Sequence, residues 1–358
     1  MRSASLFDTG MVGGISVKNR CVLAPMTRER CATDGVPTEM HAAYFVQRAG
    51  AGLIVTGNNR ISAAGAGSPN GSGMHTEEQA AGWRRVTDAV HAAGGKIFAQ
   101  LFHSGAAGHP DTVPGSEYPV APSSVAWGGP VRTVNGKVPC LVPLELDRAG
   151  IQRIMADFAR SAELAMSAGF DGIEVHAASG YLFEQFFSQR TNRRADSYGG
   201  STANRCRALF EAIEAVAGVV GSDRVGVKVS PEFNKHGVVV DDTPQETYSF
   251  IARTLSDFGV AYLHVADNSL TFDYHAMLRP IFRGAYMAGV GFMPDRAMAY
   301  VKGGRADMIS FGRLFISNPD LPARISTGTK LNPLDPSTVY GASARGLLDY
   351  PTMEIAGG

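Results

Sequence analysis

Apolar residues along this chain gather into short runs, and between most of those runs lie longer stretches with helical spacing. Eight runs have strand length: Cys21–Met26, Leu53–Thr56, Lys96–Leu101, Gly172–Val175, Val225–Val229, Tyr262–Val265, Gly284–Met287 and Met308–Phe311. Most are rich in Val, Ile or aromatic residues, which suit a pleated, buried surface. The intervening segments carry helix start and stop signals. Thr76 with Gln79 predicts a capping box ahead of Trp83, Val86 and Val90, and Thr243 with Glu246 predicts another, with Pro244 at the first helical position. Ile151, Ile154, Met155, Phe158 and Ala162 recur at 3–4-residue spacing and predict one apolar helix face, ending at Gly169.

Eight strand–helix units in one chain predict a (β/α)8 barrel, an α/β TIM barrel, spanning residues 1–358 as a single domain. A doubly wound dinucleotide fold would place GxGxxG in its first strand–helix turn. The first strand here runs into Pro25-Met26-Thr27-Arg28 with no glycine-rich loop, so the barrel is preferred. Residues 103–146 break the rhythm. They are rich in Gly, Pro and Ser, show no helical period and are too long for a simple loop. They predict a lid or small β-subdomain inserted after the third strand, over the barrel mouth.

Charge and composition remove several function classes. With 33 Lys+Arg against 33 Asp+Glu, no electrostatic argument favours nucleic acid or an anionic membrane. No apolar run reaches the length of a membrane span, and neither Met1-Arg-Ser-Ala-Ser-Leu-Phe-Asp8 nor Glu354-Ile-Ala-Gly-Gly358 reads as a targeting signal. Cys21, Cys31, Cys140 and Cys206 form no CxxC pair, which argues against an iron–sulfur cluster or structural zinc. The expectation is a cytoplasmic protein with reduced thiols and no bound metal.

In parallel α/β folds, reacting groups collect at the carboxyl ends of strands. Those ends carry Thr27, Gly57, Gln100, His103, His176, Lys228, Asp267, Gly291 and the Gly312-Arg313 pair. A lone Thr, Gln or His at such a place is more often a cap or a satisfied structural group. Lys228 is harder to dismiss, because it interrupts Val225-Gly-Val-Lys-Val229 and requires a polar cavity or an anion. The segment Gly172-Ile-Glu-Val-His176-Ala-Ala-Ser-Gly-Tyr181 is the most informative. A short strand delivers a histidine, and a turn of small residues then delivers a tyrosine. Loops after the seventh and eighth strands of such barrels commonly hold phosphate. Gly289-Val-Gly291-Phe and Ser310-Phe-Gly312-Arg313 stand there, so a phosphorylated ligand is expected.

Several blocks together resemble the Old Yellow Enzyme family of FMN-dependent ene-reductases. They are Val17-Lys-Asn-Arg-Cys-Val-Leu-Ala-Pro-Met-Thr27-Arg, Gln100-Leu-Phe-His103-Ser-Gly, His176-Ala-Ala-Ser-Gly-Tyr181-Leu with Gln185-Phe-Phe, Asn192-Arg-Arg-Ala-Asp196-Ser-Tyr-Gly-Gly200, Phe311-Gly-Arg-Leu-Phe-Ile-Ser-Asn-Pro-Asp320-Leu-Pro, and Asp349-Tyr-Pro351. The resemblance covers nearly the whole chain. It implies that Pro25, Met26 and Thr27 lie against the flavin, that Gly57 allows close backbone approach to the ring, and that Gln100 bonds its pyrimidine edge. It implies Lys228 near N1/O2 and the phosphate at Gly291, Gly312 and Arg313. It further implies that His176 and Ser179 bond the substrate carbonyl, that Tyr181 protonates the substrate α-carbon, and that Phe102 and Tyr340 line the substrate side. Three positions depart from the family pattern. Ser179 stands where the family usually has Asn or His, and Lys228 where it usually has Arg. Val290 places a β-branched residue in the phosphate loop, where positive φ is discouraged.

The implied activity is reduction of an activated C=C bond of the α,β-unsaturated carbonyl type by NAD(P)H through FMN, on a small-molecule substrate. A homo-oligomer is left open. The alternative is an FMN-containing isomerase or desaturating enzyme of the same fold acting on a specialised metabolite, motivated by Ser179 and Lys228. A flavin-free lyase using His103 and His176 with a metal lacks convergent carboxylate ligands. A purely structural role does not account for a proton donor beside a phosphate site.

Overall fold

The computed structural model describes residues 4–233 and 236–353. The terminal tripeptide Met1–Ser3 and the last five residues, read above for targeting signals, lie outside the described residues. Eight parallel strands close into a barrel: β1 (Cys21–Leu23), β2 (Leu53–Val55), β3 (Ile97–Phe102), β4 (Gly172–Ala177), β5 (Val225–Val229), β6 (Tyr262–Ala266), β7 (Ala285–Gly289) and β8 (Met308–Phe311). Each strand pairs with the next, and β8 returns to β1 through Ile309 opposite Cys21. All eight predicted strands are present. The first is shorter than expected, because the chain leaves the sheet at Ala24-Pro25, where proline has no N–H for the ladder. The fourth is longer and carries His176 inside the strand.

The helices are α1 (Glu39–Gln47), α2 (Glu77–Ala92), α3 (Arg148–Ser167), α4 (Leu182–Phe187), α5 (Thr202–Val220), α6 (Pro244–Phe258), α7 (Tyr274–Leu278), α8 (Pro294–Lys302), α9 (Arg313–Ser317) and α10 (Leu321–Thr327). The Thr76–Gln79 capping box forms. The α3 face read from its spacing is buried, with Gly169 turning the chain at φ 84°. The second capping box does not form. Pro244 does start α6, but Thr243 makes no cap bond and Glu246 instead accepts from the Thr202 hydroxyl at 2.6 Å.

Side chains alternate along a strand, so every second residue points into the barrel. The lower interior is apolar and holds Val22, Leu53, Val55, Phe98, Tyr262, Met287 and Met308. A hairpin of Gly10–Val12 with Ile15–Val17 adds Val12 and Val17 to this layer. Two residues further along the strands the character reverses. Gln100, Glu174, Lys228 and His264 are set side by side by the register, which places Glu174 opposite Gln100, His176 opposite Lys228, and Lys228 opposite His264. Tyr262 reaches up to this layer because Gly226 has no side chain; a Cβ there would lie 2.1 Å from the Tyr262 ring.

Residues 103–146 contain a single 3₁₀ turn (Gly105–Ala107) and two small sheets. One is a hairpin of Val131–Thr133 with Gly136–Val138; the other pairs Val120–Ala121 with Leu144–Glu145. Arg194, from the Asn192–Gly200 block, anchors this segment by donating to Pro122 O and Leu146 O. That block therefore ties residues 103–146 to the barrel.

Candidate active site

A cavity of about 500 Å³ opens at the carboxyl end of the barrel. Pro25, Met26, Thr27, Gln100, His176, Ser179, Tyr181, Lys228, Arg313 and Tyr340 all line it. These residues come from five separate strand ends and from the C-terminal segment, and closure of the barrel is what brings them together.

Four residues expected at the site are not among those lining the cavity: Gly57, Phe102, Gly291 and Gly312, the last packed next to Met26, whose sulfur would lie 3.5 Å from a Cβ there. Gly57 lies behind it: a Cβ there would be 2.4 Å from Met26 O and 2.8 Å from Thr27 N. Glycine is needed there so that the Met26–Thr27 backbone can pack against the β2 end. Phe102 is buried behind Tyr181, its ring edge-on at 4.6 Å. Gly291 sits on the exposed turn after β7. Val290 takes φ 71° and Gly291 φ 70°. The valine thus adopts the conformation its side chain disfavours, at a cost of about 1–2 kcal/mol.

The cavity floor is the charged layer of the barrel. Glu174 is fully buried and accepts from Gln100 Nε2 at 2.6 Å, Tyr262 Oη at 2.9 Å and His264 Nδ1 at 3.0 Å. Burial opposes its charge, but His264, Lys228 and Tyr262 more than offset this and hold its carboxyl below the ordinary value. Burial lowers His264, and Glu174, to which its Nδ1 is bonded, opposes that shift. Lys228 is also lowered by burial and supported by Glu174. Among the described residues neither Lys228 nor Arg313 has a hydrogen-bond partner, so the cavity carries two available cations. The Thr27 hydroxyl donates to Asn58 Oδ1.

His176 Nδ1 accepts the Ala178 N–H at 3.2 Å, which places its own hydrogen on Nε2. Burial, reinforced by Lys228, pushes its pKa down to about 3. His176 is therefore a neutral N–H donor. Ser179 sits at φ 61° and its amide donates to Ser230 Oγ at 2.7 Å, while its hydroxyl has no hydrogen-bond partner among the described residues. The Tyr181 ring stacks on Trp127 at 6.0 Å, 1° from parallel, and meets His176 edge-on at 5.4 Å. Burial raises Tyr181 to about 12, so its phenol stays protonated across the neutral range.

Trp127, Glu29 and Arg132 were missed in the sequence. Trp127 had a signal, a tryptophan in a Gly/Pro-rich insertion. Arg132 had none: it donates to Glu29 at 2.6 Å and lies 4.7 Å from the Tyr340 ring centroid, joining the inserted hairpin to the β1 loop and the C-terminal segment. Glu174 also had a signal, a carboxylate inside an apolar strand. His103 stands apart from the cavity, its Nδ1 accepting from Gly105 N. No group of residues suited to a metal ion exists among the described residues, and no helix there is long and apolar enough to cross a membrane.

An apolar edge at Pro25 and Met26, an amide at Gln100 and two cations without a hydrogen-bond partner among the described residues suit a flat heterocycle carrying a phosphate, and so fit FMN. Comparison with known proteins agrees. Residues 5–332 match the NADH:flavin oxidoreductase / NADH oxidase family model. The chain is 37% identical over 351 residues to a probable flavin mononucleotide-dependent alkene reductase of Leishmania infantum, covering 96% of each. It is 32% identical to 12-oxophytodienoate reductase 2 of Arabidopsis thaliana, covering 99% of this chain and 97% of that one. Among solved structures, morphinone reductase in complex with tetrahydroNAD superposes with a TM-score of 0.94 at 39% identity, covering 98% of both chains. An Old Yellow Enzyme homologue from Zymomonas mobilis gives 0.94 at 37% identity, covering 98% of this chain and all of the other. The chain belongs to the Old Yellow Enzyme family of FMN-dependent oxidoreductases.

Proposed function

We propose that this enzyme uses NAD(P)H to reduce the C=C bond of an α,β-unsaturated carbonyl compound, with His176 and Ser179 binding the substrate oxygen and Tyr181 supplying the α-proton. The observation that carries the reading is the gathering of three hydrogen-bond donors on one wall of the cavity. A neutral His176 presents Nε2–H, Ser179 presents an uncommitted hydroxyl, and Tyr181 keeps its proton beside them. FMN, when bound, supplies the hydride chemistry. Two donors on the carbonyl oxygen draw electron density toward it and leave the β-carbon electron-poor. Tyr181 then gives its proton to the α-carbon. Lys228, held over Glu174, faces the cavity as a cation that favours negative charge on a bound cofactor. Residues 103–146 act as the lid, with Trp127 backing Tyr181 and Arg132 closing on Glu29.

In this reading Arg313, which lines the cavity, holds the FMN phosphate together with the backbone of Gly312 that precedes it. Arg313→Ala removes a charge-assisted phosphate contact and should weaken FMN binding by about ten- to a hundredfold. Titration of the apoprotein with FMN checks this; equal retention would remove Arg313 from the phosphate site.

The backbone at Ser179 explains how the family's commoner Asn could occupy that position. Asn is one of the few residues that accept φ near 60° readily. Ser179→Asn should therefore fold normally, offer a longer donor to the oxygen and speed turnover of simple cyclic enones. The test is anaerobic reduction with each nicotinamide, followed by an enone panel, on both proteins. Product formation without nicotinamide consumption would instead support an isomerase.

A further inference from the structure

Behind the Ser179–Tyr181 turn lies a second cavity of about 320 Å³, which shares Phe233 with the first. Its inner wall is Glu184 of α4, a buried carboxylate the reading above does not use. Three donors converge on it. Gly180 N–H donates to Oε2, while Ser230 Oγ at 2.6 Å and Tyr248 Oη at 3.0 Å donate to Oε1. Ser230 Oγ in turn accepts the Ser179 N–H at 2.7 Å. One carboxylate thus terminates the amides of two successive residues, one directly and one through a hydroxyl.

The turn needs such an anchor. Ser179 and Gly180 both lie at positive φ, 61° and 76°, so their amides enter neither the β4 ladder nor the α4 helix. From the cavity side Trp127 presses on Gly180, where a Cβ would sit 2.8 Å from the indole. From the other side Gln185 Nε2 holds Gly180 O at 3.0 Å. A serine held left-handed reverts unless tertiary contacts determine it.

We propose that Glu184 is a positioning residue for the substrate-oxygen site: through Ser230 and the Gly180 amide, its carboxylate sets the turn that carries Ser179 and Tyr181. This rests on the reading of His176 and Ser179 as the oxygen donors. All three partners are donors, and they match an ionised carboxylate. A protonated carboxyl adds a fourth hydrogen, so the Ser230 or Tyr248 hydroxyl must turn to accept it and the anchor on the Ser179 amide loosens. Among the described residues, the other titratable groups around it are Tyr248 on α6, Glu232 after β5 with Tyr274 bonded to it, and Asp241 ahead of α6, 3.8 Å from Arg205. Burial, partly offset by the three bonds, raises Glu184 to about 7. The sign follows. The raised carboxyl favours folding most below its unfolded value and loses that contribution as pH rises through about 7, whereas the turn is held best once the group has ionised, above 7.

The experiment uses the FMN-loaded enzyme and phenol, neutral up to a pKa of roughly 10, read by the absorbance change of the bound flavin. In the parent, phenol affinity should rise from pH 6 to pH 8. In Glu184→Gln it should be on the order of tenfold weaker at pH 8, with that pH step gone, because an amide sets a donor against donors. Ser230→Ala, which cuts only the relay to Ser179, should also weaken phenol at pH 8, and it carries the test if Glu184→Gln fails to fold. His176→Ala calibrates the oxygen site. If it binds phenol like the parent, the oxygen-site reading fails and the proposal with it. If it weakens phenol while Ser230→Ala binds normally, or while a folded Glu184→Gln keeps the affinity and pH step, the positioning role alone is overturned.

Discussion

Tyr181→Phe should slow alkene reduction by about 10²–10⁴-fold while leaving reduction of the bound flavin by nicotinamide intact. The substitution removes one oxygen and keeps the ring, so the stack on Trp127 and the edge contacts with Phe102 and His176 persist. No protein group loses a partner, because the hydroxyl has none among the described residues. The loss should be greatest for substrates whose α-carbon has no other proton source. Stopped-flow measurement of the two half-reactions separately checks the assignment. A variant slowed in flavin reduction but unaltered toward alkenes would show that the phenol serves the nicotinamide rather than the substrate.

Glu174→Ala should be the most destabilising single change at the cavity floor, costing about 3–5 kcal/mol. It strips partners from Gln100, Tyr262 and His264 at once and leaves Lys228 without its counter-charge. Denaturant unfolding of the FMN-loaded protein at neutral pH measures the loss. The pH dependence has a definite sign. The folded carboxyl lies below its ordinary value of 4.5, so its contribution is present above that pH and disappears as pH falls through the lower folded value. A variant as stable as the parent would mean that the layer is satisfied by water instead.

Much of the architecture was legible in the chain. Eight apolar runs, a capping box at Thr76, the α3 stripe and the missing GxGxxG select a closed parallel barrel, because period-two and period-3.6 patterns report burial directly. The blocks around His176 and Arg313 both lie at the carboxyl end of the barrel, where the cavity opens. The structure reversed one finer expectation and supplied placements that the sequence did not. Glu246 bonds Thr202 instead of closing a capping box, since a nearby hydroxyl on α5 outcompetes the local backbone. Gly57 makes room for Met26 and Thr27 instead of facing the cavity, Phe102 stands behind Tyr181, and Val290 adopts the left-handed backbone despite its branching.

The order of apolar and polar positions by itself determined the fold class, the strand ends and the residue types available for chemistry, because these depend on local periodicity. Only the tertiary structure decided which nitrogen of His176 accepts a backbone hydrogen bond, that Lys228 shares its layer with the buried Glu174, and that Glu184 and Ser230 receive the amides of the turn holding Ser179. Those properties arise from groups far apart in sequence, such as Glu174 with His264 and Glu29 with Arg132, and no local pattern encodes a contact made by closing a barrel.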